Sequence, residues 1–414
     1  MKRFITGLTL GLFLAAGAFA GGKKQAASSP DGKAVVNFYA ATDHDSFLKR
    51  MVAEFNTAHP DIRVIYNSIP NDDYDDKIKV LAAGSSDMDA FWIRTPAQTQ
   101  QYITNNALLD LGPFIQSSGL DLAPIRTTSL PGATRDGKIY GLPTTGSCWM
   151  LFYNKDLFDA KGLPYPENIT WDQYLDLAKS LTYTENGKKY WGGVCPPWTM
   201  NLGASSAGEY LTAPEPLPYT RRYAQALHRM YVDDKSHPGI EEMSVGTFDI
   251  NPFFEAGNVY MMIQGDWEFF LLKPAFTYAA APMPVFEGVA PGSTVGQSSY
   301  YVVSPNSRHP KEAYRFIEWC TTSPQGTAIY AETGSVPSYS TPEALAAFRK
   351  SVNVPGVEYR FSAKVGGEQG TEPYYGEVND AFIQEMQLYL IGEQSLDAMF
   401  NNFFKLRREI ISNN

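Results

Sequence analysis

Cysteine and histidine are both scarce in this chain of 414 residues. Its three cysteines, Cys148, Cys195 and Cys320, are odd in number and lie far apart, without the spacing of metal ligands. The five histidines are scattered, and no two of them stand four residues apart. These shortages exclude a disulfide-stapled scaffold, and no metal site is predicted. We expect the cysteines to be buried free thiols, with a single disulfide as the alternative in an oxidising compartment.

Positive charge and long apolar runs are also lacking. The 34 lysines and arginines are outnumbered by 44 aspartates and glutamates, which gives a net charge of −10. Because an acidic surface repels phosphate backbones, we expect no nucleic-acid partner. Anionic lipid headgroups would be repelled for the same reason. After the N-terminus, no apolar run is long enough to cross a bilayer.

The first 20 residues are typical of a secretory signal peptide. Two basic residues precede an apolar stretch at 4–13, and a small-x-small sequence ends at Ala20. A membrane anchor is the alternative, which the shortness of the apolar stretch disfavours. Residues 21–33 are small and polar, and we expect them to form a flexible tether. The chain is therefore expected in the periplasm or another extracytoplasmic space.

Recognisable catalytic motifs are missing as well. The sequence contains no phosphate-binding loop, no dinucleotide fingerprint and no nucleophile elbow, so no cofactor is predicted. With 44 carboxylates, however, some pair must lie close together, and nothing in the sequence marks a glycosidase pair. A secreted carbohydrate-active enzyme therefore stays open as an alternative function.

What the chain does contain indicates a large α/β protein. Its length favours two lobes over a single core. Apolar strands at 34–39, 62–66 and 90–93 alternate with stretches of helical periodicity, which predicts a parallel sheet covered by helices. Ligands of such sheets lie beyond the carboxyl ends of the strands. The polar corner at 42–45 and Arg94 would both lie at that edge.

Aromatic side chains are plentiful, at 14% of the residues, and several stand beside polar ones near predicted strand ends or loops. Sugar recognition needs flat aromatic faces for C–H surfaces together with polar groups for hydroxyls. Core packing is the alternative for each aromatic. The examples are Trp149, Trp198, Trp267, Tyr300 and Tyr375.

Four stretches, in this order and spacing, resemble a known family. They are EFNTAHPDIRV at 54–64, the segment from DGKIYGLP to DAKGL at 136–163, FFEAGNVYMMIQGDW at 253–267, and the segment from PMPVFEG to GSVPS at 282–338. The chain resembles the extracellular solute-binding proteins of family 1, the maltose-binding-protein-like receptors of sugar importers. The resemblance covers roughly residues 34–405.

The resemblance implies a fold of two α/β lobes joined by crossing strands, periplasmic-binding-protein-like (type II), with the ligand cleft between the lobes. Residues 34–143 and 283–337 would form lobe one, and residues 144–282 and 338–414 would form lobe two. The implied function is a monomeric, non-enzymatic receptor that binds a sugar and passes it to the permease subunits of an ABC transporter. Another polar solute, such as a polyamine, a sugar acid or ferric ion, is the alternative ligand.

The resemblance also implies a set of candidate ligand-binding residues. They follow the first and third strands, the first crossing, the Gly-x-Trp element and the turn before the strand at 300, with two more from lobe two. The candidates are Asp43, His44, Asp45, Arg94, Thr145, Trp149, Trp198, Asp266, Trp267, Gln297, Ser298 and Tyr375.

Trp267 is the sharpest of these predictions. It follows the apolar strand at 259–263 and Gly265, so it stands at the carboxyl end of that strand. We expect the glycine to let the chain turn, so that the indole projects into the cleft.

The export prediction has a direct test. Because small residues flank the cleavage point after Ala20, N-terminal sequencing of the exported protein should begin at Gly21. A mature chain that retains the apolar stretch at 4–13 would contradict the signal-peptide interpretation.

Overall fold

The computed structural model describes residues 32–84, 87–126, 128–196, 198–239 and 250–413. The predicted signal peptide and nearly all of the predicted tether lie outside these residues. Strands and helices alternate over residues 34–104.

In chain order the strands are β1 (Ala34–Ala41), β2 (Ile62–Ile69), β3 (Ala90–Ile93), β4 (Thr134–Arg135), β5 (Lys138–Ile139), β6 (Gly141–Pro143), β7 (Trp149–Asn154), β8 (Tyr183–Glu185), β9 (Lys188–Val194), β10 (Val259–Gly265), β11 (Tyr278–Pro282), β12 (Ser293–Gly296), β13 (Tyr300–Val303) and β14 (Lys364–Gly367). The helices are α1 (Asp45–Ala58), α2 (Tyr74–Gly84), α3 (Pro96–Thr104), α4 (Gly112–Ser118), α5 (Lys155–Lys161), α6 (Trp171–Ser180), α7 (Leu202–Ser206), α8 (Pro218–His228), α9 (Asn251–Glu255), α10 (Glu268–Leu271), α11 (Pro310–Thr322), α12 (Pro324–Ala331), α13 (Pro342–Ser351), α14 (Tyr359–Ser362), α15 (Tyr375–Leu390) and α16 (Leu396–Asn413).

The first lobe is built on a five-stranded sheet of order β2-β1-β3-β13-β6. β1 pairs in parallel with β2 and β3, and β13 runs antiparallel to β3 and β6. All four residues of β3 are buried, as expected of a central strand covered on both faces. The parallel arrangement predicted for the first hundred residues is therefore confirmed.

The second lobe is built on a five-stranded sheet of order β11-β7-β10-β9-β8. β7 runs antiparallel to β10 and β11, while β10 and β9 are parallel. Every residue of β7 and β10 is buried. Each lobe therefore has its own hydrophobic core, and the predicted two-lobed α/β fold is confirmed.

The described core residues show where the chain changes lobe. The core of the first sheet draws on residues 36–142 and 300–329. Met283, Phe286 and Val295 belong instead to the core of the second sheet. We therefore propose that the chain returns to the first lobe near 299, later than the boundary at 283 expected from the sequence.

Three segments cross side by side between the lobes, and we call them the hinge: residues 144–148, 296–299 and 335–338. Thr144 N–H donates to Ser299 O over 2.8 Å, and Gly146 N–H donates to Val336 O over 3.1 Å. Ser338 N–H donates back to Thr144 O over 3.1 Å. Residues separated by as many as 194 positions are thus joined by backbone hydrogen bonds in one narrow strip.

The three cysteines are buried free thiols, so the expectation drawn from their spacing is confirmed. Within the described ranges, no group of three or more His, Cys, Asp or Glu side chains is placed to hold a metal ion. In the same part of the chain, the structure contains no helix whose length and apolar character would allow it to cross a bilayer.

His237 is a buried titratable group of the second lobe. It is 1% exposed, and its two ring nitrogens lie 2.9 Å from Tyr174 Oη and 2.9 Å from Ser236 Oγ. Burial lowers the pKa of His237 to about 3, because the charged imidazolium would lose its hydration there. The folded protein therefore keeps this ring neutral across the physiological range.

We predict that acid destabilises the fold partly through His237. Its pKa is about 3 in the folded state and roughly 6.5 when unfolded, so between these values the unfolded state binds more protons. Its contribution is fully present above the unfolded pKa and is lost as pH falls towards the folded pKa, by about 2 kcal/mol between pH 8 and 5. Urea denaturation across this range should show a shallower pH dependence in His237→Gln. An unchanged slope in His237→Gln would contradict the prediction.

Candidate ligand-binding site

A cavity of about 380 Å³ lies between the two lobes and the hinge. Both lobes and all three crossing segments contribute to its walls. Its lining residues are Asp43, His44, Phe47, Trp92, Arg94, Thr145, Ser147, Trp198, Asp266, Trp267, Phe270, Leu271, Gln297, Ser299, Tyr330, Ser335 and Val336.

The wall from the first lobe is centred on Trp92, near the carboxyl end of β3. The His44 ring meets the indole edge-on, with centroids 4.2 Å apart, and the Arg94 guanidinium lies 4.8 Å from the indole centroid. Arg94 also lies 3.4 Å from Asp75 and donates to Asn71 Oδ1 over 3.2 Å. These contacts hold the guanidinium at the rim of the cavity.

His44 is held neutral in this wall. Burial lowers the pKa of His44 to about 4, while Asp43, 4.0 Å from its Nε2, opposes the shift and Arg94 reinforces it. Its Nδ1 is buried without a hydrogen-bond partner among the described residues. A neutral imidazole can donate from one nitrogen and accept at the other.

The floor of the cavity is the hinge, and it is polar. Ser147 N–H donates to Gln297 O over 3.3 Å, and Ser147 Oγ donates to the same carbonyl over 2.8 Å. Gln297 Oε1 is buried without a hydrogen-bond partner in the described structure. A buried amide oxygen in this state is costly unless a ligand or water supplies a donor.

The wall from the second lobe carries Trp267. Its indole meets Trp149 edge-on, with ring centroids 5.3 Å apart and planes at 81°. A Cβ placed on Gly265 would collide with the six-membered ring of Trp267. Gly265 is thus needed because the indole of Trp267 folds back over its Cα. This close approach replaces our expectation that the glycine serves to let the chain turn.

Asp266 lies beneath the second wall and is 5% exposed. Its Oδ2 lies 2.6 Å from Nε of Arg360, a fully buried side chain, and Cys148 Sγ lies 3.7 Å from the same oxygen. The neighbouring Asp266 and, above all, burial raise the pKa of Cys148, so its thiol stays protonated. Asp266 therefore belongs both to the lining of the cavity and to a buried ion pair.

Eight of the twelve candidate residues line this cavity: Asp43, His44, Arg94, Thr145, Trp198, Asp266, Trp267 and Gln297. The structure brings them together from positions more than 250 residues apart. Their role in binding remains a prediction.

The other four candidates lie elsewhere, each for a visible reason. Asp45 accepts hydrogen bonds from Tyr66 and Ser68 on β2. Trp149 is 1% exposed and donates to Glu368 Oε2 over 2.7 Å.

Ser298 and Tyr375 are each 2% exposed, the first beside the cavity floor and the second in the core of the second lobe. Neither side chain lines the cavity. We therefore leave Asp45, Trp149, Ser298 and Tyr375 out of the site that we propose below.

Several aromatic lining residues were not predicted from the sequence, notably Trp92, Tyr330 and Phe270. Trp92 stood in a predicted strand, where alternation could have marked it as facing the opposite side from Phe91. Tyr330 precedes the GSVPS stretch at 334–338, which carried the family resemblance without suggesting that the preceding helix lines the cleft. Phe270 had no signal beyond its closeness to Trp267.

The arrangement suits a neutral polar ligand with flat apolar faces. Aromatic rings from both lobes face one space, and hydroxyl and amide groups form its floor. Aromatic faces hold C–H surfaces, while the polar groups bind hydroxyls in fixed directions. One acidic and one basic residue, Asp43 and Arg94, stand on the same wall.

The sequence pattern of bacterial extracellular solute-binding proteins matches residues 41–327 of the chain. The chain belongs to this family. The resemblance found in the sequence is thereby confirmed, and members of the family act outside the cytoplasm.

Curated relatives of this solute-binding protein are distant in sequence. It is 28% identical over 204 residues to a putative binding protein of Brucella abortus, and the match covers 46% of this chain and 49% of the relative. The chain thus spans about half the length of that relative. It is 23% identical over 356 residues to the multiple sugar-binding protein of Streptococcus mutans, with 80% of each chain covered.

Solved structures show the same fold. A sugar transporter protein from Rhizobium etli in an open conformation has a TM-score of 0.76 at 22% identity, covering 90% of this chain and 99% of that one. An ABC substrate-binding protein from Listeria monocytogenes in complex with cycloalternan has a TM-score of 0.76 at 21% identity, covering 91% and 98%.

We predict that Gly265→Ala displaces the indole of Trp267. The added methyl would occupy space that the ring now fills, so the free energy of unfolding should fall by about 1–3 kcal/mol. Near-UV circular dichroism should change because the contact between Trp267 and Trp149 is lost. Gly84→Ala is the matched control, since its methyl would meet no atom within 4 Å. Unchanged spectra and stability in Gly265→Ala would contradict the close approach.

Proposed function

We propose that this solute-binding protein captures a sugar between its lobes and presents it to the permease subunits of an ABC importer. One observation carries the proposal: a single cavity of about 380 Å³ is walled by aromatic side chains from both lobes and floored by polar groups of the hinge. The volume lies in the range of small-molecule sites.

A sugar matches these walls better than the other ligands considered. The half-buried Trp267 supplies a flat face for ring C–H groups, and Gln297 supplies an amide with a free acceptor for a hydroxyl. A polyamine would need several free carboxylates, but Asp266 is already paired with Arg360. A sugar acid is the second candidate ligand, because Arg94 at the rim could bind its carboxylate in competition with Asp75, which lies 3.4 Å away.

Lobe closure follows from where the contacts lie. A ligand that touches both lobes stabilises the closed form over the open one, and it shifts the population towards closure. The hinge joins the lobes through three narrow segments, which is a geometry suited to domain closure. The closed form is then the state that the transporter would recognise, and we propose a monomer.

Binding without chemistry is favoured by the state of the carboxylates. Among the described lining residues, Asp43 and Asp266 are acidic, and Asp266 is held in an ion pair. Burial raises the pKa of Glu368 to about 7, with the hydrogen bond from Trp149 opposing it, but Glu368 lies outside this cavity. A hydrolase would need a protonated acid within reach of the ligand.

The names of relatives agree with this proposal. One relative is the multiple sugar-binding protein of Streptococcus mutans, and another is the maltodextrin-binding protein of Bacillus subtilis. The bound ligands of similar structures include cycloalternan and maltose. A cleaved signal peptide would place the present chain outside the cytoplasm.

The proposal is tested by a panel of mono- and oligosaccharides and sugar acids in thermal-shift and titration experiments. A ligand that binds only the folded state raises the melting temperature. Small-angle scattering should then show a smaller radius of gyration with the bound sugar. Release of shortened sugars during incubation would support the enzyme alternative, and a polyamine or ferric ion as the only ligand would overturn the sugar proposal.

We predict that Trp267→Ala weakens sugar binding. Loss of a central aromatic contact should cost about 2 kcal/mol of binding free energy, roughly thirtyfold in Kd, measured by titration calorimetry. The loss of folding stability should stay below the roughly 3–5 kcal/mol of a fully buried tryptophan, because Trp267 is only half-buried.

Trp191→Ala is the matched control for this variant. Trp191 is also half-buried in the second lobe, where Lys189 lies over its ring at 4.7 Å, but it does not line the cavity. Its removal should leave the sugar affinity unchanged. If the wild type binds sugar and Trp267→Ala binds it with the same affinity, the role given to Trp267 is wrong, while the proposal of a sugar-binding protein still stands.

A further inference from the structure

A second cavity, of about 310 Å³, lies on another side of the hinge. It is bounded by residues 124–126, by residues 336–341, which include the end of the third hinge segment, and by the helices α13 and α14. Val336 lines both this cavity and the ligand cavity. We call this second space the hinge cavity.

Two arginines line the hinge cavity, and both pack against Gly146. Nη2 of Arg360 donates to Gly146 O, and the side chain of Arg126 lies so close that a Cβ on Gly146 would sit 3.0 Å from its Nε. Arg360 is 1% exposed. The two guanidiniums therefore both lie against the same hinge residue.

The positive charge of this pair is only half compensated. Asp266 is the carboxylate that faces Arg360, at 2.6 Å from Nε. Burial, and then the neighbouring Arg360, lower the pKa of Arg126, while Asp266 opposes that shift. A buried charge without a partner is strongly unfavourable, so the two guanidiniums, which among the described residues have Asp266 as their neighbouring carboxylate, favour an added anion.

Donors in the hinge cavity also lack partners. Nη1 of Arg126, Nη1 of Arg360 and Oγ of Ser338 are buried without hydrogen-bond partners in the described part of the chain. All three residues line the cavity. Guanidinium groups and a hydroxyl form a donor set that matches the oxygens of a carboxylate or a phosphate.

We infer that the hinge cavity is a second binding site, separate from the sugar cleft, for a small oxyanion held by Arg126, Arg360 and Ser338. The remaining walls include Phe348 and Phe361, which could pack against the apolar body of an organic acid. The oxyanion would neutralise the surplus charge at the hinge. Since Arg360 also pairs with Asp266 below the sugar cleft, the two sites share one ion pair.

The test measures the melting temperature of the full chain, without sugar, against rising concentrations of acetate, benzoate, phosphate and sulfate at constant ionic strength. At least one of these anions should raise the melting temperature with saturation. Saturation by phosphate or sulfate would indicate an inorganic anion, and saturation by benzoate or acetate alone would indicate an organic acid. A shift that never saturates for any of the four would overturn the proposal.

Variants locate the site. Arg126→Gln and Ser338→Ala should each weaken the saturating anion, and for Arg126→Gln the loss should be about tenfold or more, the usual effect of removing a charged hydrogen-bond donor. Arg360→Met is avoided because it would strand Asp266. Arg349→Gln is the matched control, since Arg349 is an exposed guanidinium on α13 that lies outside the cavity, and it should bind as the wild type does. Wild-type anion affinity in both Arg126→Gln and Ser338→Ala would overturn the assignment. Loss of anion binding in Arg94→Gln would also overturn it, because that result would place the anion in the sugar cleft.

Discussion

The buried guanidinium of Arg360 is the contact on which the arrangement of this protein most depends. It joins its own helix α14 to Gly146 in the hinge and to Asp266 at the end of β10. Removing one partner of such a pair leaves an uncompensated buried charge, which typically costs about 3–5 kcal/mol. The position of the wall that carries Trp267 therefore depends on a residue almost a hundred positions further along the chain.

The hinge, which Arg360 holds at Gly146, also forms part of the ligand-binding site. Its three segments carry the polar floor of the cleft, and their backbone hydrogen bonds leave Gln297 facing the cavity with an acceptor to spare. Because the two sheets each have their own core, the lobes can keep their packing while the hinge changes its angle. Stability and movement are thus assigned to different parts of the molecule.

The ends of predicted strands were a good guide to the site, but the direction of a side chain was not. Arg94 and Trp267 follow β3 and β10, and both reach the cleft as expected from the strand-end rule. Trp149 begins β7, in which every residue is buried. Because such a strand shows no alternation of apolar and polar residues, the sequence could not show whether Trp149 faces the ligand or the core. Asp45 stood in the right corner, but its carboxylate accepts hydrogen bonds from β2.

The sequence by itself determined the α/β fold and the burial of the cysteines, which follow from periodicity and composition. Most of the positions that reach the cleft were instead implied by the family resemblance. Only the tertiary structure decided which aromatics face the cleft, and why Gly265 is needed. It also decided that Asp266 pairs with Arg360, and that Arg126 and Arg360 both lie against Gly146. The physical reason is that Arg360 contacts Asp266 and Gly146 across 94 and 214 positions, where spacing along the chain carries no information about distance. Even between near neighbours such as Gly265 and Trp267, the direction of the side chain depends on the packing around it.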